Sequence, residues 1–156
     1  MKLSDLLSEA LIKIPLTTNS KEDVVDELID LLVANHKVTN KEKVFQAVME
    51  REKVMSTGVG DGVAIPHGKA EGINEVVAAF GIAKKNIDFQ SIDEKPVRLV
   101  FLLVASPEAA APHLKALSRV SRLLNNKDFR HKLLKTESSA EVLELIRDEE
   151  KLYFEI

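Results

Sequence analysis

The sequence predicts an α/β fold, a three-layer α/β/α sandwich around a mixed β-sheet, with residues 1–156 forming one domain. Three observations predict it. Two apolar runs of strand length, Val76 to Ala83 and Val97 to Val104, carry almost no polar residue, so neither face of either strand suits water. Segments with apolar residues at helical spacing stand before and after those runs. The chain of 156 residues, 45% apolar and 30% charged, has the composition of an ordinary globular domain and the length to bury a sizeable core. Helices on both sides of a sheet are the arrangement that covers two such strands.

In chain order, Leu3 to Leu7 is a short amphipathic piece, and Leu11 to Leu16 alternates with enough β-branching to read as a strand ended by Pro15. Ser20 and Asp23 form a capping box, and Val24, Val25, Leu28, Leu31 and Leu32 mark the buried face of the helix it opens. That helix ends near Asn35 and His36, the latter a solvated helix-end residue. Thr39 and Glu42 form a second capping box, followed by a helix buried through Val44, Phe45, Val48 and Met49. It delivers Arg51 near its C-terminal end. There the guanidinium meets the helix dipole, and it can equally clamp an anion held by the next loop.

Five of the six glycines, Gly58, Gly60, Gly62, Gly68 and Gly72, fall within or just after the stretch from Arg51 to Lys69. Asp61-Gly62 is a hairpin-turn signal, and Val63 to Ile65 makes a short strand leading to Pro66 and His67. A histidine between a proline and a glycine sits in a shaped loop whose backbone a partner can approach closely. Beyond the first apolar run, Ile87-Asp88-Phe89 reads as a short edge segment. Ser106 and Pro107 open a turn, and Pro112 suits the first position of the main C-terminal helix. His113 then lies in its first turn, on a stripe continued by Leu117, Val120 and Leu124. It is either a boundary residue of the core or, beside the unpaired N–H groups of a helix start, part of an anion site. Phe129, Leu133 and Leu134 mark a shorter helix with His131 on a solvated basic face. Val142, Leu143, Leu145 and Ile146 mark a last helix, and Lys151 to Ile156 reads as a tail.

Composition excludes several functions. A net charge of −3 without a basic block speaks against nucleic acid. The absence of cysteine excludes disulfides and thiol catalysis. No apolar run reaches the length of a membrane span and no secretory signal opens the chain, so a cytoplasmic protein without direct membrane insertion is expected. The glycine stretch is not a nucleotide loop: five residues separate Gly62 from Gly68 where four are needed, and Ala70 stands where Ser or Thr would bind magnesium. A dinucleotide fingerprint and a G-x-S-x-G nucleophile elbow are also missing. Zinc hydrolysis needs three protein ligands, and the loop offers His67 and Glu71 at most. What fits His67, His113 and Arg51 is histidine as a transient nucleophile. An imidazole accepts a phosphoryl group on one ring nitrogen while the other is held by a hydrogen bond, and the neighbouring cation and second imidazole stabilise the incoming charge.

Arg51-Glu52 followed by Ser56-Thr57-Gly58-Val59-Gly60-Asp61-Gly62-Val63-Ala64-Ile65-Pro66-His67-Gly68-Lys69 resembles the signature of the fructose/mannitol-class enzyme IIA domains. These belong to the bacterial phosphoenolpyruvate-dependent phosphotransferase system, and the nitrogen-regulatory IIA proteins share the motif. The resemblance extends over nearly the whole chain, including Pro112-His113-Leu114 and the leucine-rich helix after it. It implies that His67 is phosphorylated by phospho-HPr or its nitrogen-branch counterpart, that His113 is the second active-site histidine, and that Arg51 flanks the site. It also places Ser56, Thr57 and Gly68 in the loop beside the phosphoryl group and implies no cofactor and no metal. Two recipients remain open under it. The group passes to a IIB cysteine in sugar uptake, or the protein regulates partners such as potassium-transport components and sensor kinases. The absence of a IIB or IIC sequence from this chain favours the regulatory branch. The alternative is a non-phosphorylated docking module of the same fold, as in the cytoplasmic domains of anion transporters.

Overall fold

The computed structural model describes residues 2–153. Its centre is the antiparallel pair β5 (Val76–Ile87) and β6 (Val97–Ala105), the two apolar runs. β1 (Ile12–Lys13) adds in parallel to β5 at one edge. At the other edge β3 (Val63–Ala64) and β4 (His67–Lys69) lie end to end along β6, both parallel to it, and β2 (Gly58–Gly60) pairs antiparallel outside β3. The result is a six-stranded mixed sheet. Val76 to Ala83 are all buried, as is every β6 residue except the half-buried Arg98, so the central pair is covered on both faces.

Helix α2 (Lys21–Ala34) packs over β5 and α3 (Lys41–Val54) over β4, and the two helices touch each other. On the opposite face α4 (Ala110–Leu124) packs over β6 and α6 (Ser139–Tyr153) over β1. α1 (Leu3–Leu6) and α5 (Lys127–Leu134) complete that layer. Phe80 and Phe101 pair across β5 and β6 at 5.4 Å between ring centres and meet Leu3, Val120, Phe129 and Ile146 beneath these helices. The three-layer sandwich expected from the two apolar runs is the observed fold.

Local signals held where the sequence chemistry was unambiguous. Ser20 caps α2 by accepting the Asp23 N–H at 3.2 Å. Asp61 and Gly62 both have positive φ, 57° and 81°, the geometry that a two-residue turn between β2 and β3 requires. His36 and His131 are exposed.

Elsewhere the structure corrects the reading. Asn40, not Thr39, caps α3, its Oδ1 accepting the Lys43 N–H at 3.1 Å; asparagine is the better N-cap of the two neighbours. The first strand is only Ile12–Lys13, because Glu9–Leu11 forms a 3₁₀ turn. Ile87-Asp88-Phe89 is no separate edge segment. Lys84 to Asn86 are exposed yet stay extended, and Ile87 rejoins the ladder opposite Val97. Pro112 occupies the third position of α4, which starts at Ala110. It is tolerated there because the N–H it lacks has no partner within the first turn. Lys151 to Tyr153 are helical and not a tail, while Phe154 to Ile156 lie outside the described residues.

Candidate functional site

The site forms where the sheet edge passes between α3 and α4. β3 stops at Ala64, the chain steps through Ile65 and Pro66, and β4 resumes beside β6 with His67 opposite Leu103. The Pro66 carbonyl accepts the Leu103 N–H at 3.0 Å, so the step is stitched to the central strand. Gly68 fixes the depth of β4. A Cβ there would stand 3.0 to 3.2 Å from backbone atoms of Ala47 and Val48, tighter than ordinary packing, so the α3 backbone would have to give way. Since Gly68 faces α3, alternation along β4 turns His67 towards the α4 face. There it meets His113, ring centres 5.6 Å apart and planes at 74°.

A hollow of about 610 Å³ opens at this place. His67, Gly68 and Lys69 form its floor, Glu50, Arg51 and Val54 line one wall, and His113, Leu114 and Leu117 line the other. His67, His113, Arg51 and Gly68, expected together from the sequence, are thus brought together. Ser56 and Thr57 are not among the residues lining the hollow. The Ser56 hydroxyl donates to the Phe89 carbonyl at 2.9 Å and accepts the Gly58 N–H, while the buried Thr57 hydroxyl donates to Glu52. Lys69 and Glu50 line the site without having been singled out in the sequence. Lys69 closes the glycine motif, and that adjacency was the available signal.

The two histidines differ in their surroundings. His67 is half-buried, and its Nδ1 lies 2.9 Å from the Ile65 carbonyl. A carbonyl oxygen only accepts, so Nδ1 carries the proton and Nε2 keeps the lone pair. Burial holds the His67 pKa below its usual value, and the Arg51 charge acts in the same direction. The hydrogen bond to Ile65 and the Glu52 carboxylate oppose the shift. His113 is 4% exposed, and its Nε2 is buried without a hydrogen-bond partner. Burial, with the neighbouring His67 and Lys69, pushes its pKa down to about 4. Both rings are therefore neutral at pH 7. Arg51 in the last turn of α3 donates from Nη1 to the Met55 carbonyl at 2.9 Å, capping the helix while its guanidinium borders the hollow. The helix-end reading of Arg51 is the observed one, and the side chain also stands at the hollow.

A pH dependence follows from His113. The unfolded chain takes up a proton near pH 6.5, the native ring only near pH 4, so protonation favours unfolding. The stability due to the neutral ring is complete above pH 6.5 and is lost as pH falls towards 4. The loss amounts to at most about 3 kcal/mol. Urea titrations across this interval are expected to show stability falling in the native protein and a flatter profile in His113→Gln. Parallel profiles would assign the acid sensitivity to other groups.

Fold and site define a class first: a small α/β sandwich that presents a tautomer-fixed histidine, a second imidazole and an arginine in one open hollow at a sheet edge. The chain belongs to the family described as "Phosphoenolpyruvate-dependent sugar phosphotransferase system, EIIA 2", whose model matches residues 5–149. It is 42% identical over 133 residues to a nitrogen regulatory protein of Bradyrhizobium diazoefficiens, covering 85% of this chain and 86% of that protein. It is 36% identical over 151 residues to the fructose-specific EIIABC component of Bacillus subtilis; this is 97% of the chain but only 24% of the relative's length. In structure it resembles nitrogen regulatory protein IIA-Ntr of Neisseria meningitidis, with a TM-score of 0.86 and 31% identity over 92% of this chain and 98% of that one. IIA mannitol of Escherichia coli matches with a TM-score of 0.76 and 25% identity over 90% and 98% of the two chains. Among the described residues no helix is long and apolar enough to cross a membrane, and no group of three or more His, Asp or Glu side chains is placed to hold a metal.

Proposed function

We propose that the protein is a cytoplasmic histidine phosphoryl carrier, accepting the group on Nε2 of His67 from a phosphohistidine of HPr or its nitrogen-branch counterpart. The observation that carries this reading is the Nδ1–H bond to Ile65, which leaves the Nε2 lone pair as the nucleophile beside an open hollow. In the transfer, Nε2 attacks phosphorus in line as the donor's N–P bond breaks. The electron pair leaves with the donor imidazole, and the Nδ1 proton stays in place. The depressed pKa of His67 keeps it in the nucleophilic form at and below pH 7. Arg51 supplies a permanent positive charge, and the unpaired buried nitrogen of His113 supplies a hydrogen-bond partner for a phosphoryl oxygen.

The rim suits a protein donor. Val54 and Leu114 are 81% and 69% exposed on opposite walls of the hollow, an apolar margin around a polar centre. For the recipient, identities to nitrogen regulatory proteins, from 42% down to 26%, bracket those to fructose-specific relatives, 36% and 35%, and it is the higher TM-score with IIA-Ntr, 0.86 against 0.76 for IIA mannitol, that supports the regulatory branch. Relay to a IIB cysteine is the second reading, kept by those same fructose-specific relatives. The test is phosphorylation with phosphoenolpyruvate, enzyme I and either HPr type, read by intact mass with and without a IIB domain. A gain of one phosphoryl group that persists beside every IIB is expected. A gain discharged by a fructose- or mannitol-class IIB would place the protein in sugar uptake. No gain with either donor would leave the docking-module alternative.

A further inference from the structure

Glu52 stands next to Arg51 in the sequence, yet it points away from the hollow into the protein. It is 5% exposed, and its Oε1 lies 2.9 Å from Nζ of Lys21, itself 7% exposed at the start of α2. The Lys21 ammonium also lies 5.2 Å above the Phe89 ring. Burying such a pair does little for stability, since apolar residues of similar volume serve a core as well or better. Its position offers another use.

Both carboxylate oxygens of Glu52 are bound by one residue, Thr57. Oε1 accepts the Thr57 backbone N–H at 2.8 Å and Oε2 accepts its hydroxyl at 2.5 Å. The Thr57 carbonyl then accepts the Ile65 N–H at 3.0 Å, extending the β2–β3 ladder by one rung. The Ile65 carbonyl accepts Nδ1–H of His67 at 2.9 Å. We infer that Glu52, anchored by Lys21, is a positioning residue for His67, holding the backbone that places it through the successive hydrogen bonds Glu52–Thr57, Thr57–Ile65 and Ile65–His67. This rests on the proposed role of His67 as the phosphoryl acceptor and deepens it.

These contacts pin the open end of the β2–β3 hairpin, from which Pro66 and His67 depart, and so fix where the Ile65 carbonyl stands against Nδ1 of His67. A carbonyl held there keeps the proton on Nδ1 and the lone pair free on Nε2. For in-line transfer, where a displacement of ~1 Å costs about 100-fold in rate, that anchoring matters. Thr57 thereby acquires a role of its own, because its hydroxyl holds the carboxylate behind the site.

Glu52→Gln and Thr57→Val test this, with Glu150→Gln as the control. Glu150 is likewise a buried carboxylate bound to backbone N–H groups, those of Leu3 and Ser4, but on the opposite helical layer and outside these contacts. The first readout is the ¹⁵N spectrum of the His67 imidazole in unphosphorylated protein, which reports tautomer and pKa without any phosphoryl donor. Glu52→Gln is expected to lower the Nδ1–H population and the His67 pKa, and Thr57→Val to do so less. Glu150→Gln is expected to lose stability and leave the His67 signals unchanged. The second readout is the rate of phosphoryl acceptance, expected to fall about tenfold in Glu52→Gln. His67 signals unchanged in folded Glu52→Gln, or in Thr57→Val should the first variant not fold, overturn the inference. Shifted signals in a protein that accepts no phosphate would instead keep the positioning role and remove the carrier function.

Discussion

His67→Ala is expected to abolish phosphoryl acceptance and to leave the protein folded. The half-buried ring belongs to the hollow and is absent from the apolar core, and its bond to Ile65 is worth only about 1 kcal/mol net. The chemistry has no substitute. His36, in the turn after α2, and His131, on α5, are exposed away from the hollow, and His113 presents a buried nitrogen rather than an open one. With the lone pair of Nε2 gone, the displacement lacks its nucleophile, and loss should reach the detection limit. Intact mass after incubation with phosphoenolpyruvate, enzyme I and HPr reads it directly, with circular dichroism confirming the fold. A variant that still gains one phosphoryl group would move the acceptor to another histidine.

His113→Ala is expected to slow acceptance by about 100-fold, the usual cost of removing one hydrogen-bond partner from a developing charge. The basis is its buried, unpartnered Nε2 and the 5.6 Å ring separation from His67. A polar atom left without a partner in the resting protein is costly, and an incoming phosphoryl oxygen would satisfy it. The dianion would also draw the His113 pKa upwards from about 4, a shift visible by NMR on phosphorylation. His113→Ala should keep some capacity for phosphate, which separates it from His67→Ala. An unchanged rate, with no pKa response in the native protein, would make His113 a boundary residue of α4 and nothing more.

The parts of this molecule that were legible in the sequence are those set by local chemistry. Val76 to Ala83 and Val97 to Val104 announced themselves as central strands because both faces are apolar, and the fold covers them on both faces. Ser20 and Asp61-Gly62 acted as cap and turn because each function needs only its immediate neighbours. The signals that failed had close competitors. Thr39 and Asn40 are both capable caps, and one residue decides between them. Lys84 to Asn86 look like a strand end until the Ile87 pairing with Val97 holds them extended.

The site divides in the same way. The sequence by itself determined the residue types, a histidine between proline and glycine, an arginine at a helix end and a second histidine in a helix start. It also determined the sandwich, since two almost wholly apolar runs of strand length admit few other coverings. Only the tertiary structure decided that His67 and His113 stand 5.6 Å apart and that Ser56 and Thr57 turn away from the hollow. It alone brings Lys21, thirty-one positions before Glu52, to 2.9 Å from that carboxylate. The reason is physical. Helix caps, turns and apolar periodicity are properties of adjacent residues, whereas hydrogen bonds and charges between distant elements exist only after the sheet has brought those elements together.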